Sequence, residues 1–115
     1  MKGCVFCSIV SGEIPATMVR RSDFAVAFRD LDAKAPTHVL IVPVEHLASV
    51  RDAKGADGSR LLGGLMQFAA ETATELGLDA RGYRIVANTG PDGGQSVFHL
   101  HLHLLGGRPL AWPPG

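Results

Sequence analysis

Residues 98–105 read FHLHLHLL. Strict alternation of apolar and polar side chains suits a pleated strand and defeats a helix, because only a period of two keeps each set on its own face. The pattern predicts a strand with Leu100, Leu102 and Leu104 turned to a core and His99, His101 and His103 lining the opposite face. Neighbouring histidines on such a strand stand about 7 Å apart and the outer two about 13 Å, so one ion cannot easily bind all three. The face can be a polar surface, a two-histidine metal site, or a catalytic strip. Imidazole is a good nucleophile towards phosphorus and is largely uncharged near neutrality. One central nucleophile with flanking imidazoles accounts best for the threefold repetition. Ser96 and the amides of residues 93–96, just upstream, supply donors for phosphate oxygens.

The rest of the chain supplies the strands that such a strip needs. FAVAFRD (24–30), HVLIVP (38–43) and YRIVAN (83–88) are short β-rich runs bounded by Pro, Asp, Gly or Asn, and MVRR (18–21) is a weaker one. Residues 59–77 carry Leu61, Leu65, Phe68, Thr72 and Leu76 at helical spacing, with Ser59 as a cap and Gly77 as a stop. Residues 44–50, VEHLASV, suit a shorter helix after Pro43. The expectation is a single α+β domain over 1–115, built on an antiparallel sheet of about five strands with one long and one short α-helix.

Charge and termini narrow the class. Lys+Arg and Asp+Glu both number 11, so there is no electrostatic case for a nucleic-acid backbone or an acidic membrane surface. The start, MKGCVFCSIVSGEIP, lacks an apolar stretch followed by a cleavage site, and no segment approaches ~18 consecutive apolar residues. A cytoplasmic protein is expected. In that reducing compartment Cys4 and Cys7 read as metal ligands or redox thiols and not as a structural disulfide.

HLHLHLL fits the His-x-His-x-His-x-x signature of the histidine triad (HIT) superfamily, and its flanks, GGQSVFHLHLHLLGGRPLAWPPG, resemble the Hint-like branch of purine nucleoside phosphoramidases. The resemblance also covers CVFCSIVSGEIPA, FRDLDAKAPTHVLIVPVEHL and GYRIVANTGPDGGQSVFH. Gly-Gly-Arg after the triad and the Trp-Pro-Pro-Gly tail set it apart from the dinucleotide polyphosphate hydrolases of the superfamily.

The resemblance implies a HIT-like fold and a nucleotide-binding hydrolase. It would cleave the P–N bond of purine nucleoside 5′-phosphoramidates, adducts of AMP or GMP with amines, through a nucleotidyl-histidine. His101 matches the nucleophile, His103 a phosphate contact, His38 a histidine that orients the nucleophile, and Ser96 a phosphate or leaving-group contact. Asn88 and Gln95 fall with Ser96 among the nucleotide-binding positions, and Asp30 matches the carboxylate that accepts both ribose hydroxyls. Val5, Phe6, Ile9, Phe28 and Leu31 match an apolar slot for the purine, against ordinary core as the plainer reading.

C-x-x-C with two distant histidines suits tetrahedral Cys₂His₂ zinc. Zinc-binding bacterial members of the superfamily look similar here, which implies Cys4, Cys7, His46 and His99 as ligands of a structural zinc, with no organic cofactor. The resemblance further implies a homodimer. Gly63 and Gly64 would let a partner helix approach, and a C-terminal arm over 108–115 would lie near the partner's nucleotide site and shape its choice of leaving group. Competing functions are a nucleotide-binding adaptor with incidental catalysis, a dinucleotide polyphosphate hydrolase, and a plain zinc-binding domain.

Overall fold

The computed structural model describes residues 3–115. Its elements run α1 (Val5–Ser11), β1 (Met18–Arg21), β2 (Ala25–Arg29), β3 (Thr37–Pro43), a 3₁₀ turn (Val50–Asp52), α2 (Gly55–Glu75), β4 (Tyr83–Val86) and β5 (Leu102–Gly106). The five strands form one sheet in the order β1-β2-β3-β5-β4, and every neighbouring pair is antiparallel. The expected α+β class and five-stranded antiparallel sheet are therefore present.

The two faces of the sheet have different uses. Ala25, Ala27, Val39, Ile41, Leu102 and Leu104 pack against Leu65, Phe68, Ala69 and Ala73 of α2. Val26, Phe28, Leu40 and Val42 point the other way and meet Phe6, Ile9 and Val10 of α1. Because α1 is only seven residues long, it covers part of that second face. His38 and His103, on β3 and β5, lie where the face opens into a cleft.

Helix boundaries differ from the sequence expectation. The long helix begins at Gly55 and not at Ser59, because the Lys54 carbonyl accepts the Gly58 N–H at 2.9 Å and starts the turn earlier. A Cβ on Gly58 would stand 2.4 Å from the Ala53 carbonyl carbon, so this first turn requires glycine. Gly77, at φ 74°, ends the helix as expected. Gly64 faces Phe24 of the same chain, whose ring would meet an added Cβ at 3.1 Å, while Gly63 faces open space.

The short helix is α1 and not residues 44–50. There the Val44 N–H donates to the Phe24 carbonyl at 2.8 Å, and the Leu47 carbonyl accepts the Leu100 N–H at 2.6 Å. Backbone groups committed to neighbouring segments cannot also close helical turns.

Candidate functional site

Alternation through the histidine segment survives beyond the strand itself. Leu100, Leu102 and Leu104 all join the core under α2, although ladder pairing begins only at Leu102. His99 is fully buried, His101 is 7% exposed and His103 is half-buried, all on the opposite side. The rings of His101 and His103 have centroids 5.0 Å apart, and Phe6 meets His101 edge to face at 5.1 Å.

Backbone groups determine which ring nitrogens carry protons. A nitrogen of His101, Nδ1, lies 2.7 Å from the His99 carbonyl, which can only accept. Nδ1 therefore bears the proton, and Nε2 is left with its lone pair. At His38 the relation is reversed: Nδ1 accepts the Lys34 backbone N–H at 3.0 Å. Its proton then sits on Nε2 and points to Nδ1 of His103, 2.9 Å away. His103 in turn carries its proton on Nε2.

Burial holds both partners neutral. Desolvation pushes the pKa of His103 down to about 4, helped by the neighbouring His101 and His38 and opposed by Asp30. Desolvation also lowers His38, against the pull of the Asp30 carboxylate 3.4 Å from its Nε2.

The cleft in front of these rings has a volume of about 510 Å³, and Asp30, His38, Asn88, Ser96 and His103 line it together. Lys34 and Asp32 also reach it, and the sequence reading had not singled them out. Asp30 accepts the Asp32 N–H on Oδ1 at 2.8 Å. An apolar slot of about 240 Å³ adjoins the cleft through Phe6, Asp30 and Leu40. Val5, Phe6, Ile9, Phe28 and Leu31, the five positions expected around a purine, all line this slot.

Gln95 is different. Its Oε1 accepts the Gly90 N–H at 3.0 Å, and its Nε2 donates to the carbonyls of Ala48 at 2.6 Å and Val97 at 3.1 Å. This buried amide ties the loop between Asn88 and Ser96 to the chain beneath it and is not among the groups lining the cleft. Gly93 tightens the same loop, since a Cβ there would come within 2.5 Å of the Thr89 carbonyl oxygen.

The donor atoms of Cys4, Cys7, His46 and His99 all lie within 4.8 Å of one another. The Nδ1 atom of His99 stands 3.3 Å from the Cys4 sulfur, 3.4 Å from the Cys7 sulfur and 3.1 Å from Nδ1 of His46. The edges of a tetrahedral site with these ligands measure about 3.5 Å, so the four donors are already close to that spacing. The Nε2–H of His99 donates to the Pro43 carbonyl at 2.9 Å, which turns the other nitrogen inward as a ligand. Burial, and then the adjacent Cys4 sulfur, push the Cys7 thiol up. Two thiols side by side with two imidazoles fit a cation that would hold both sulfurs deprotonated, and these residues can hold a metal ion. The cluster of Asp30, His38 and His103 is otherwise arranged, because a proton already lies between its two imidazoles.

The structural decisions that the sequence did not disclose are made by main-chain groups: the Lys34 N–H and the carbonyls of Pro43 and His99. No residue type marks them.

Comparison with known proteins places this arrangement in a group. Residues 11–110 match the HIT domain family. The chain is 43% identical over 106 residues to the purine nucleoside phosphoramidase of Escherichia coli (strain K12), covering 92% of this chain and 88% of that one. It is 49% identical over 111 residues to an uncharacterized HIT-like protein of Synechococcus elongatus, covering 96% of each. Among solved structures it is similar to a HIT family hydrolase from Legionella pneumophila Philadelphia 1, with a TM-score of 0.94, 49% identity, and coverage of 98% of this chain and 100% of that one.

Proposed function

Because the chain belongs to the HIT domain family, we propose that it is a hydrolase of purine nucleoside 5′-phosphoramidates that works through a nucleotidyl-histidine. Support comes from the purine nucleoside phosphoramidase to which it is 43% identical, and from the cleft and apolar slot that meet beside the triad. The observation that carries the reading is the state of His101. With Nδ1–H held by the His99 carbonyl, Nε2 is the nucleophilic nitrogen, and the carbonyl stabilises the charge that develops as it attacks.

In this reading the purine occupies the slot over Phe6 and Phe28, and Asp30 accepts the ribose hydroxyls at the junction of slot and cleft. His101 Nε2 attacks the α-phosphorus, the P–N bond breaks, and the amine leaves after taking a proton from solvent. His103 Nε2–H, with Ser96 and Asn88, holds phosphoryl oxygens during the attack. His38, expected to orient the nucleophile, contacts His103 instead and keeps it in the donating tautomer, while the His99 carbonyl orients His101. Water then hydrolyses the P–N bond to His101, releasing the nucleotide and restoring the neutral ring. Cys4, Cys7, His46 and His99 would hold zinc, which supplies a structural clamp between α1 and the histidine segment and takes no part in bond-making.

The protein is further read as a cytoplasmic homodimer. No helix among the described residues is long and apolar enough to cross a membrane, and β4 leaves a sheet edge open for a second copy. Sedimentation at micromolar concentration tests the assembly, and a monomer would count against it.

The chemistry is tested by turnover of a fluorogenic adenosine phosphoramidate. His101→Ala should lose several orders of magnitude in kcat, and mass spectrometry of the wild type should trap a nucleotidyl adduct on His101. Near-normal turnover by the variant would sink the mechanism.

A further inference from the structure

The loop between β2 and β3 brings Asp30 to the cleft and, through the Lys34 N–H, decides which nitrogen of His38 bears a proton. Its own supports are thin. Asp32, Lys34 and Pro36 are exposed, and the bond from Lys34 Nζ to Asp32 Oδ2 is a surface ion pair, which contributes little. Among the described residues, the side-chain hydrogen bonds of 31–36 stay within 30–38, with one exception. Arg108, 74 positions further along, donates from Nη2 to the Lys34 carbonyl at 2.7 Å.

The exit from β5 is shaped for that contact. Gly107 follows the strand at φ 92°, and a Cβ there would stand 2.9 Å from the Cβ of Pro36. Glycine lets the chain pass this close to the loop and present Arg108 to it. Nη1 of Arg108 donates to the Pro109 carbonyl at 3.0 Å, which holds the guanidinium from a second side. Among the described residues no carboxylate pairs with Arg108, so its charge is directed to these carbonyls. A charged donor makes a stronger bond to a carbonyl than a neutral one does.

The N–H and the carbonyl of Lys34 flank a single Cα. With the carbonyl held, φ and ψ at Lys34 lose the freedom that would swing the N–H away from His38. If that N–H withdrew, Nδ1 of His38 would lose its donor and the ring could exchange tautomers. The donor that faces His103 would then come and go.

We propose that Arg108 is a positioning residue, whose grip on the Lys34 carbonyl fixes the proton on His38 and, one bond further, the proton on His103. The sequence puts Arg108 at the head of an arm expected near a partner's site, yet its guanidinium meets the loop of its own chain. The consequence for turnover rests on the phosphoramidase reading above, while the arrangement of protons does not.

Heteronuclear NMR of the ring nitrogens at neutral pH tests this, because a protonated nitrogen and a lone-pair nitrogen resonate far apart. In wild type, His38 and His103 should each carry the proton on Nε2, and His101 on Nδ1. In Arg108→Ala the two nitrogens of His38, and with them those of His103, should move towards a common averaged position. His101, held by the His99 carbonyl, should keep its signals. Arg84→Ala frees the carbonyls of Leu110 and Ala111, and so loosens the rest of the arm, but should leave all three rings as in wild type. Turnover of the fluorogenic phosphoramidate by Arg108→Ala should show kcat lowered roughly three- to tenfold, the effect of about one hydrogen bond. Wild-type tautomers in Arg108→Ala, averaging that spreads to His101, or equal averaging in Arg84→Ala would overturn the assignment. Averaged rings with unchanged kcat would overturn the positioning role as well. If wild type turns over no phosphoramidate but Arg108→Ala still averages the two rings, the brace stands and the phosphoramidase reading falls.

Discussion

Nε2 of His38 and Nδ1 of His103 lie 2.9 Å apart, joined by one hydrogen bond across two adjacent strands. Direction is imposed from the far side, where the Lys34 amide occupies the other nitrogen of His38 at 3.0 Å. Only neutral rings satisfy both contacts. A proton added to His38 Nδ1 would face an N–H, and one added to His103 Nδ1 would face the His38 donor.

Acidification should therefore weaken the fold through this pair. His103 titrates at about 4 in the folded chain but near 6.5 when unfolded. As pH falls through that window the unfolded chain binds the proton first, so stability is full above about 6.5 and is lost towards 4. His38, also lowered by burial, acts in the same direction. Urea denaturation across this range should show a shallower pH dependence for His103→Gln than for wild type. Identical slopes would remove the pair from the account.

Asp30 offers a second test. Asp30→Asn retains an oxygen for the Asp32 N–H but gives up the charged, purely accepting group at the slot–cleft junction. A charge-assisted contact of this kind contributes about 1.5–3 kcal/mol. Affinity for ribonucleotides should fall at least tenfold, with a much smaller loss for 2′-deoxy analogues. Equal losses would argue against a ribose contact.

Purified protein should carry close to one zinc per chain at Cys4, Cys7, His46 and His99. Chelation or Cys4→Ser should lower the melting temperature by more than about 10 °C, because metal-binding energy is folding energy. Metal analysis and melting curves read this directly. Unchanged metal content in Cys4→Ser would overturn the ligand set.

Gln95→Leu would leave the Gly90 N–H and the carbonyls of Ala48 and Val97 without their partner. Each buried group left unpaired costs about 1–3 kcal/mol, so the melting point should drop. Because the loop carries Asn88 and Ser96 into the cleft, kcat should fall as well. A variant that melts lower but turns over normally would show that the loop's position is set elsewhere.

Side-chain periodicity made the sheet and the histidine face legible, since each apolar position in 98–105 had to choose a side. It could not show where the ladder ends. Beyond Ile41↔Leu102 the same register would set Pro43 against Leu100, and Pro43 has no N–H to give to the Leu100 carbonyl; the ladder stops short of that pair, and the Leu100 N–H donates to the Leu47 carbonyl. The helix expected at 44–50 failed for a related reason, its backbone being taken by Phe24 and Leu100. The one at Val5–Ser11 was hidden by its length, since seven residues give too few turns to show a helical period. Its punctuation was present: the Cys4 sulfur accepts the Cys7 N–H at the start, and Gly12 takes φ 87° at the end. Residues grouped around the slot were recoverable by resemblance. The inward turn of Gln95 was not, because an amide beside a glycine pair reads the same whether it meets a ligand or its own main chain.

The four-donor cluster joins Cys4 to His99 across 95 positions. That separation gives the site a place in time as well as in space. A chain emerging from the ribosome presents its two thiols early and cannot complete their cradle until His99 has followed. His101 arrives two residues later. For most of its synthesis the molecule has neither cradle nor histidine face, and it acquires both almost at once.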